Sequence, residues 1–365
     1  MNPFILQGYR GPDLFCDRQQ ELSELIAHIE NGRNMVLHGE RRMGKTALLR
    51  RLLDGRPGML VDLLPCQSLA EAVEKIARAL VEREGVLNPR EPSLWQRLLA
   101  QFEVRISVDP VSGMPRASLR LGNHGDAAPA LAHIGAYLAQ LEPGFLLCLD
   151  EFQQITRFTD GDAEAVFREW MNAFPAIRFA FSGSHTTMIR AMFNAHSRPF
   201  YQSCEIMELL PVPREDYAAF IQRHFQADGR TASDEVVDAV YDWARGTTHW
   251  IQSQCNRLYD RNGDPTGADV RAVQAAVLAS QQGYMGQILN QLPSAQAALL
   301  KAIARSPDGV PQPTAMSFLQ AHGLPAASSV NSALKGLERS ELVMRRGDGA
   351  WQLSDPLFAW WLREG

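Results

Sequence analysis

Eight consecutive residues, Gly39-Glu40-Arg41-Arg42-Met43-Gly44-Lys45-Thr46, fit the pattern G-x-x-x-x-G-K-[ST]. These types at this spacing suit one task, the cradling of a polyphosphate. The glycines let the backbone curl until successive N–H groups converge on phosphate oxygens. Lys45 is spaced to reach the β- and γ-phosphates of a nucleoside triphosphate, and the Thr46 hydroxyl to bind Mg2+. Ala47 follows in the first turn of a helix predicted from Lys45 to Leu53, whose positive end adds to the attraction. Arg41 and Arg42 either join the cradle or face solvent. Lysine is scarce in this chain (Lys45, Lys75, Lys301 and Lys335), so its presence here is informative.

A second cluster supplies carboxylates. Phe145 to Leu149 is a continuous apolar run, as expected of a strand buried on both faces, and it ends in Asp150-Glu151. Ligands of open α/β sheets bind at such C-terminal strand edges. Asp150 is expected to complete the Mg2+ shell, and Glu151 to accept a proton from an attacking water. An apolar strand ending in Asp-Glu is common by itself; a phosphate loop upstream gives it meaning. Ser182-Gly183-Ser184 ends the next apolar strand. Ser184 is placed either to touch the γ-phosphate or the water, or to cap the helix that follows.

The elements that must position these residues alternate between short apolar runs and helical patterns, which is how a parallel α/β sheet reads. A helix is predicted from near Asp17, with Leu22, Leu25, Ile26 and Ile29 on one face. Strands are predicted at Asn34–His38, Met59–Leu64, Phe145–Leu149, Ile177–Phe181 and Glu205–Leu210, and a helix at Ala70–Val81. Val104–Val108 and Arg116–Leu121 alternate as two strands around a Pro/Gly turn at 109–115, and predict an inserted β-hairpin. After Pro213 only helices are predicted, at Glu215–Phe225, Asp234–Ala244, Trp250–Tyr259 and Ala268–Ser280. From Ser294 come three short helices (Ala295–Ala304, Thr314–Ala321, Ala327–Arg339). Two short strands around Gly347-Asp348-Gly349 follow, which is the winged-helix pattern. The domains are therefore expected at 1–212, 213–292 and 293–365.

With 365 residues the chain exceeds one ordinary core. A net charge of −5 argues against a global nucleic-acid footprint. The five cysteines have no metal-ligand or disulfide spacing and are expected to be reduced and mostly buried. No apolar run approaches the ~20 residues of a membrane span, and the N-terminus lacks a signal-peptide pattern. A cytoplasmic protein with no membrane partner is expected.

With these residues in view, the chain resembles the archaeal-ATPase-like branch of the STAND NTPases, relatives of the AAA+ ATPases. Phe15-Cys16-Asp17-Arg18-Gln19-Gln20-Glu21-Leu22 is similar to the F-x-x-R-x-x-E-L segment ahead of that family's P-loop. Asp150-Glu151-Phe152-Gln153 and Ser182-Gly183-Ser184 fit as well. Asp355-Pro356-Leu357-Phe358-Ala359-Trp360-Trp361 is similar to its D-P-L-F-x-x-W ending. The resemblance implies an ASCE/AAA+-like core with the Asp-Glu strand beside the P-loop strand, then an all-helical lid and a C-terminal winged helix. It also implies ATP as the nucleotide and a switch-like ATPase in signalling, regulation or defence. Two positions depart from the family. Pro199-Phe200-Tyr201 is followed by Gln202-Ser203, where relatives often carry Gly-Arg, so Arg198 or Arg190 becomes the substitute for an arginine acting across subunits. The lid turn reads Gly246-Thr247-Thr248-His249-Trp250 instead of Gly-x-Pro, with His249 the residue that would face the nucleotide.

The winged helix leaves two partners open. From Ser294 on, Lys301, Arg305, Lys335, Arg339, Arg345, Arg346 and Arg363 stand against Asp308, Glu338, Glu341, Asp348, Asp355 and Glu364. This near balance favours a packing or protein-docking arm over a dedicated DNA reader. The alternative is a DNA-binding ATPase resembling replication initiators. Trp351, Trp360 and Trp361 are expected to pack between or within domains.

Overall fold

A computed structural model describes residues 2–85, 90–108, 115–122, 126–141 and 144–364. The chain divides into two compact units, Arg18–Leu210 and a second made of Met1–Asp17 with Pro211–Gly365.

The first unit runs α1 (Gln19–Glu30), β1 (Met35–His38), α2 (Lys45–Leu52), β2 (Gly58–Asp62), α3 (Leu69–Glu84) and α4 (Pro92–Leu99). The hairpin β3 (Phe102–Val108) and β4 (Pro115–Leu121) comes next. Then follow α5 (Ala127–Leu141), β5 (Leu146–Asp150), α6 (Ala163–Ala173), β6 (Arg178–Gly183), α7 (Thr186–Asn194) and β7 (Glu205–Glu208). The hairpin pairs antiparallel as expected, from Phe102↔Leu121 to Val108↔Pro115; its expected turn falls largely outside the described residues.

The five remaining strands form one parallel sheet in the order β2-β5-β6-β1-β7. This corrects one expectation, because the Asp-Glu strand β5 does not lie beside the P-loop strand β1. Strand β6 separates them, pairing Leu37↔Ser182 on one side and Leu149↔Phe181 on the other. Strands β1 and β5 are buried along their whole length, which explains their apolar runs Met35–Leu37 and Leu146–Leu149. Helix α3 shows how the flanking layer is specified. Ser68 caps it by accepting from the Glu71 N–H at 3.1 Å. Its face of Leu69, Val73, Ile76 and Leu80 is buried in the core, at about 1.5–3 kcal/mol per side chain.

From Pro211 the second unit forms a helical lid, α8 (Arg214–Ala227), α9 (Asp234–Ala244), α10 (Thr248–Tyr259) and α11 (Gly267–Gln291). The winged helix comprises α12 (Ser294–Ala304), α13 (Met316–His322), α14 (Ala327–Arg339), β8 (Val343–Arg345), β9 (Trp351–Leu353) and α15 (Pro356–Glu364). A capping box of Thr266 and Asp269 starts α11. One apolar core runs through lid and winged helix. The aromatic residues act as packing anchors: Trp250 Nε1 donates to Asp355 at 3.0 Å and Trp360 Nε1 to the Trp243 carbonyl at 2.9 Å. The N-terminal segment, expected with the sheet domain, packs here. Phe4 is buried among Phe220, His224, Phe225 and Tyr259, and the Asn256 amide donates to its carbonyl at 2.8 Å. No helix among the described residues is long and apolar enough to cross a membrane.

Candidate active site

Residues 39–44 join the C-terminal end of β1 to the first turn of α2. Gly39 is pressed against the chain after β7, where a Cβ would sit 2.6 Å from the Leu209 carbonyl oxygen. Arg42 and Gly44 take left-handed conformations with φ of 68° and 93°. Such turns aim consecutive N–H groups into one concavity, the geometry that receives an anion. Met43 is buried beneath the loop, Glu40 is half-buried, and Arg41 and Arg42 are exposed at its tip. Lys45 is buried, and its Nζ donates to the carbonyls of Gly39 (2.8 Å) and Glu40 (2.7 Å). Ala47 sits half-buried in the first turn of α2.

The Thr46 hydroxyl donates to Asp150 Oδ2 at 2.5 Å. Asp150 is buried at the end of β5, and its Oδ1 accepts from the Ser182 hydroxyl and from the Glu151 N–H at 3.0 Å. One carboxylate beside one hydroxyl is the sparse, hard-oxygen set that suits Mg2+, which keeps waters and takes phosphate oxygens for its other ligands.

Glu151 turns out of the strand with φ 53° and ψ 41°. Its Oε2 accepts from the Ser184 hydroxyl (2.7 Å), the Ser184 N–H (3.4 Å) and the Gln153 amide (2.5 Å). Ser184 is therefore tied to the carboxylate and does not cap α7. His185 is the cap, with its Nδ1 accepting from the Met188 N–H at 3.4 Å.

Three further residues belong to this constellation. Ser182, wholly buried on β6, joins the P-loop side to the Asp-Glu side through Asp150. Its signal was a hydroxyl following the apolar run Phe179–Phe181. The Arg18 guanidinium is buried against the loop, donating to Glu21 at 2.6 Å and to the Met43 carbonyl at 3.4 Å. His38 ends β1 between Gly183 and Glu208. Burial holds its pKa below the ordinary imidazole value; Glu208 pulls the other way, while Arg190 and Lys45 add to the lowering. It adds no charge beside Lys45 at neutral pH.

Two further expected residues have contacts within their own units. Arg198 is committed within its own unit, pairing with Glu164 Oε1 at 2.6 Å. Burial raises the Glu164 pKa, and Arg198 partly offsets it. Arg190 is exposed on α7. His249 lies in the second unit, in the first turn of α10 with its ring 4.7 Å from that of Trp250. Cys16, Cys66, Cys148 and Cys255 are buried and Cys204 is half-buried, with no disulfide among the described residues.

Residues 284–364 match the model of a family described as a probable winged helix domain. No curated protein matches the chain. Among solved structures it is similar to the Walker-type ATPase of Pyrococcus abyssi, with a TM-score of 0.72 at 17% identity over 99% of both chains. It is also similar to the ORC2 protein of Aeropyrum pernix, solved as ADPNP-ADP complexes, with a TM-score of 0.61 at 13% identity. That likeness covers 100% of this chain and 96% of the other. The chain has the fold of a P-loop ATPase. At these identities it is the fold alone that is shared.

Proposed function

We propose that this chain binds ATP with Mg2+ and hydrolyses it. The supporting observation is the convergence on Asp150. Its carboxylate accepts from Thr46 of the P-loop and from Ser182, while Glu151 stands next to it, held by Ser184. Lys45 would exchange its two carbonyl partners for the β- and γ-phosphates, and the amides of residues 40–46 would take the remaining phosphate oxygens. Mg2+, held by Thr46 with Asp150, would offset the charge on the phosphates. Glu151 would accept a proton as the water oxygen bonds to the γ-phosphorus and the bond to the ADP oxygen breaks. Lys45→Ala removes a charge-assisted contact, so ATP affinity measured by calorimetry should fall about 10- to 100-fold with the fold intact. Undiminished affinity would remove the P-loop assignment.

For the finer role, the initiator-like reading comes first: an ATPase whose winged helix meets duplex DNA. The likeness to ORC2 over the full length of this chain supports it. So do Lys335, Arg339 and Arg345, exposed on α14 and at the wing. The second reading, a STAND-type switch docking a protein partner, draws on how the wing uses its cations. Arg345 donates to the Gly349 carbonyl at 3.0 Å, and Arg346 to the Asp308 carbonyl at 2.9 Å while pairing with Asp348 at 3.0 Å. Fluorescence anisotropy with a DNA duplex separates the two. Under the first reading, binding should weaken steeply with added salt. Lys335→Ala with Arg345→Ala should lower the slope of log affinity against log salt by about 2. No measurable binding at low salt, or a slope untouched by the double substitution, would move the role to the protein switch.

A further inference from the structure

Gln153 follows the Asp150-Glu151 pair, in a 3-10 turn spanning Phe152–Arg157. Its side chain is 5% exposed. Its Nε2 donates to Glu151 Oε2 at 2.5 Å, whereas its own Oε1 is buried with no hydrogen-bond partner among the described residues. The amide is held this way round by the carboxylate, because the reversed amide would set oxygen against oxygen. Room for it is made across the sheet: a Cβ on Gly183 would lie 2.2 Å from Gln153 Oε1.

This is a poor arrangement for stability alone. A buried amide oxygen without a donor is an uncompensated cost, and an apolar side chain of the same length would avoid it. What the amide provides is one charge-assisted hydrogen bond to the carboxylate expected to act as base. The strand end supplies the rest of the setting: Ser182 binds Asp150, Gly183 admits the Gln153 amide, and Ser184 binds Glu151.

We propose that Gln153 is the positioning residue for Glu151. With Ser184 it fixes the carboxylate through a single oxygen, Oε2, leaving Oε1 to meet the attacking water. The inference rests on Glu151 being the general base, and its test separates the two. Gln153→Met keeps the length and removes the donor. Its Tm should equal or exceed that of the wild type, and KM for ATP should be unchanged. Its kcat should fall about 10-fold or more, as a misplaced base does. Because Gln153 acts through Glu151, adding Gln153→Met to Glu151→Gln should produce little further loss. An unchanged kcat in Gln153→Met, while Glu151→Gln is inactive, overturns the role of Gln153 alone. So does a lower Tm with the same fractional loss in the Glu151→Gln background, since that marks a packing residue. Full turnover in Glu151→Gln itself defeats the base assignment, and the positioning role with it.

Discussion

With Glu151→Gln, ATP should bind as tightly as before while steady-state hydrolysis falls about 10²-fold or more. The structure makes this a clean substitution. Both side-chain donors at this position, the Ser184 hydroxyl and the Gln153 amide, address one oxygen of Glu151. The carbonyl oxygen of a glutamine can accept both, so the local geometry needs no rearrangement. Only the capacity to take a proton is lost. Asp150 keeps its contacts with Thr46 and Ser182, so the residues expected at the phosphates and at Mg2+ stay in place. Single-turnover hydrolysis and calorimetric affinity on the same preparation check the pair of outcomes. Equal turnover in wild type and variant would place the base elsewhere.

The candidate residues of this site were legible in the sequence because its parts are local. The P-loop is one stretch of eight residues, and Asp150 and Glu151 are adjacent at the end of an apolar strand. What ties the two stretches together was not legible. The order β2-β5-β6-β1-β7 depends on pairings between strands far apart in the chain, and no local pattern states that β6 lies between β1 and β5. Once that order is known, Ser182 follows, because its strand is the one that can reach Asp150 from the P-loop side.

The helices missed by periodicity have separate reasons. Ala127–Leu141 lines much of its outward face with alanine, Ala128 and Ala132 among them, and so shows no polar stripe to set the period. The stretch Gln281–Gln291 is polar and carries Gly283 and Gly286, yet continues α11 toward the winged helix. The N-terminal segment offered no period at all. Its attachment to the lid comes from Phe4 entering a ring of aromatic side chains contributed by α8 and α10.

Arg198→Ala should destabilise the Arg18–Leu210 unit by about 3 kcal/mol, because it strands a buried carboxylate. The figure is taken at the low end, since about a third of the Arg198 side chain (35%) is exposed while Glu164 is nearly enclosed. The pH dependence of this loss identifies its cause. Burial already holds the Glu164 pKa above the ordinary glutamate value, and Arg198 pulls it back down. Without that pull, the folded chain holds the Glu164 proton more tightly than the unfolded chain does. Stability then falls as pH rises through the range above the ordinary glutamate value, and returns on acidification. The Tm deficit of the variant, compared with wild type in the same buffers, should therefore be larger near pH ~8 than near pH ~5. An arginine acting across a subunit interface makes the opposite demand. It leaves Tm unchanged at both pH values and abolishes a rise of specific ATPase activity with protein concentration. That second outcome would free Arg198 from the structural role its ion pair assigns and return it to catalysis in an assembly. The first leaves Arg190, exposed on α7 with its charge felt at His38, as the arginine to test next.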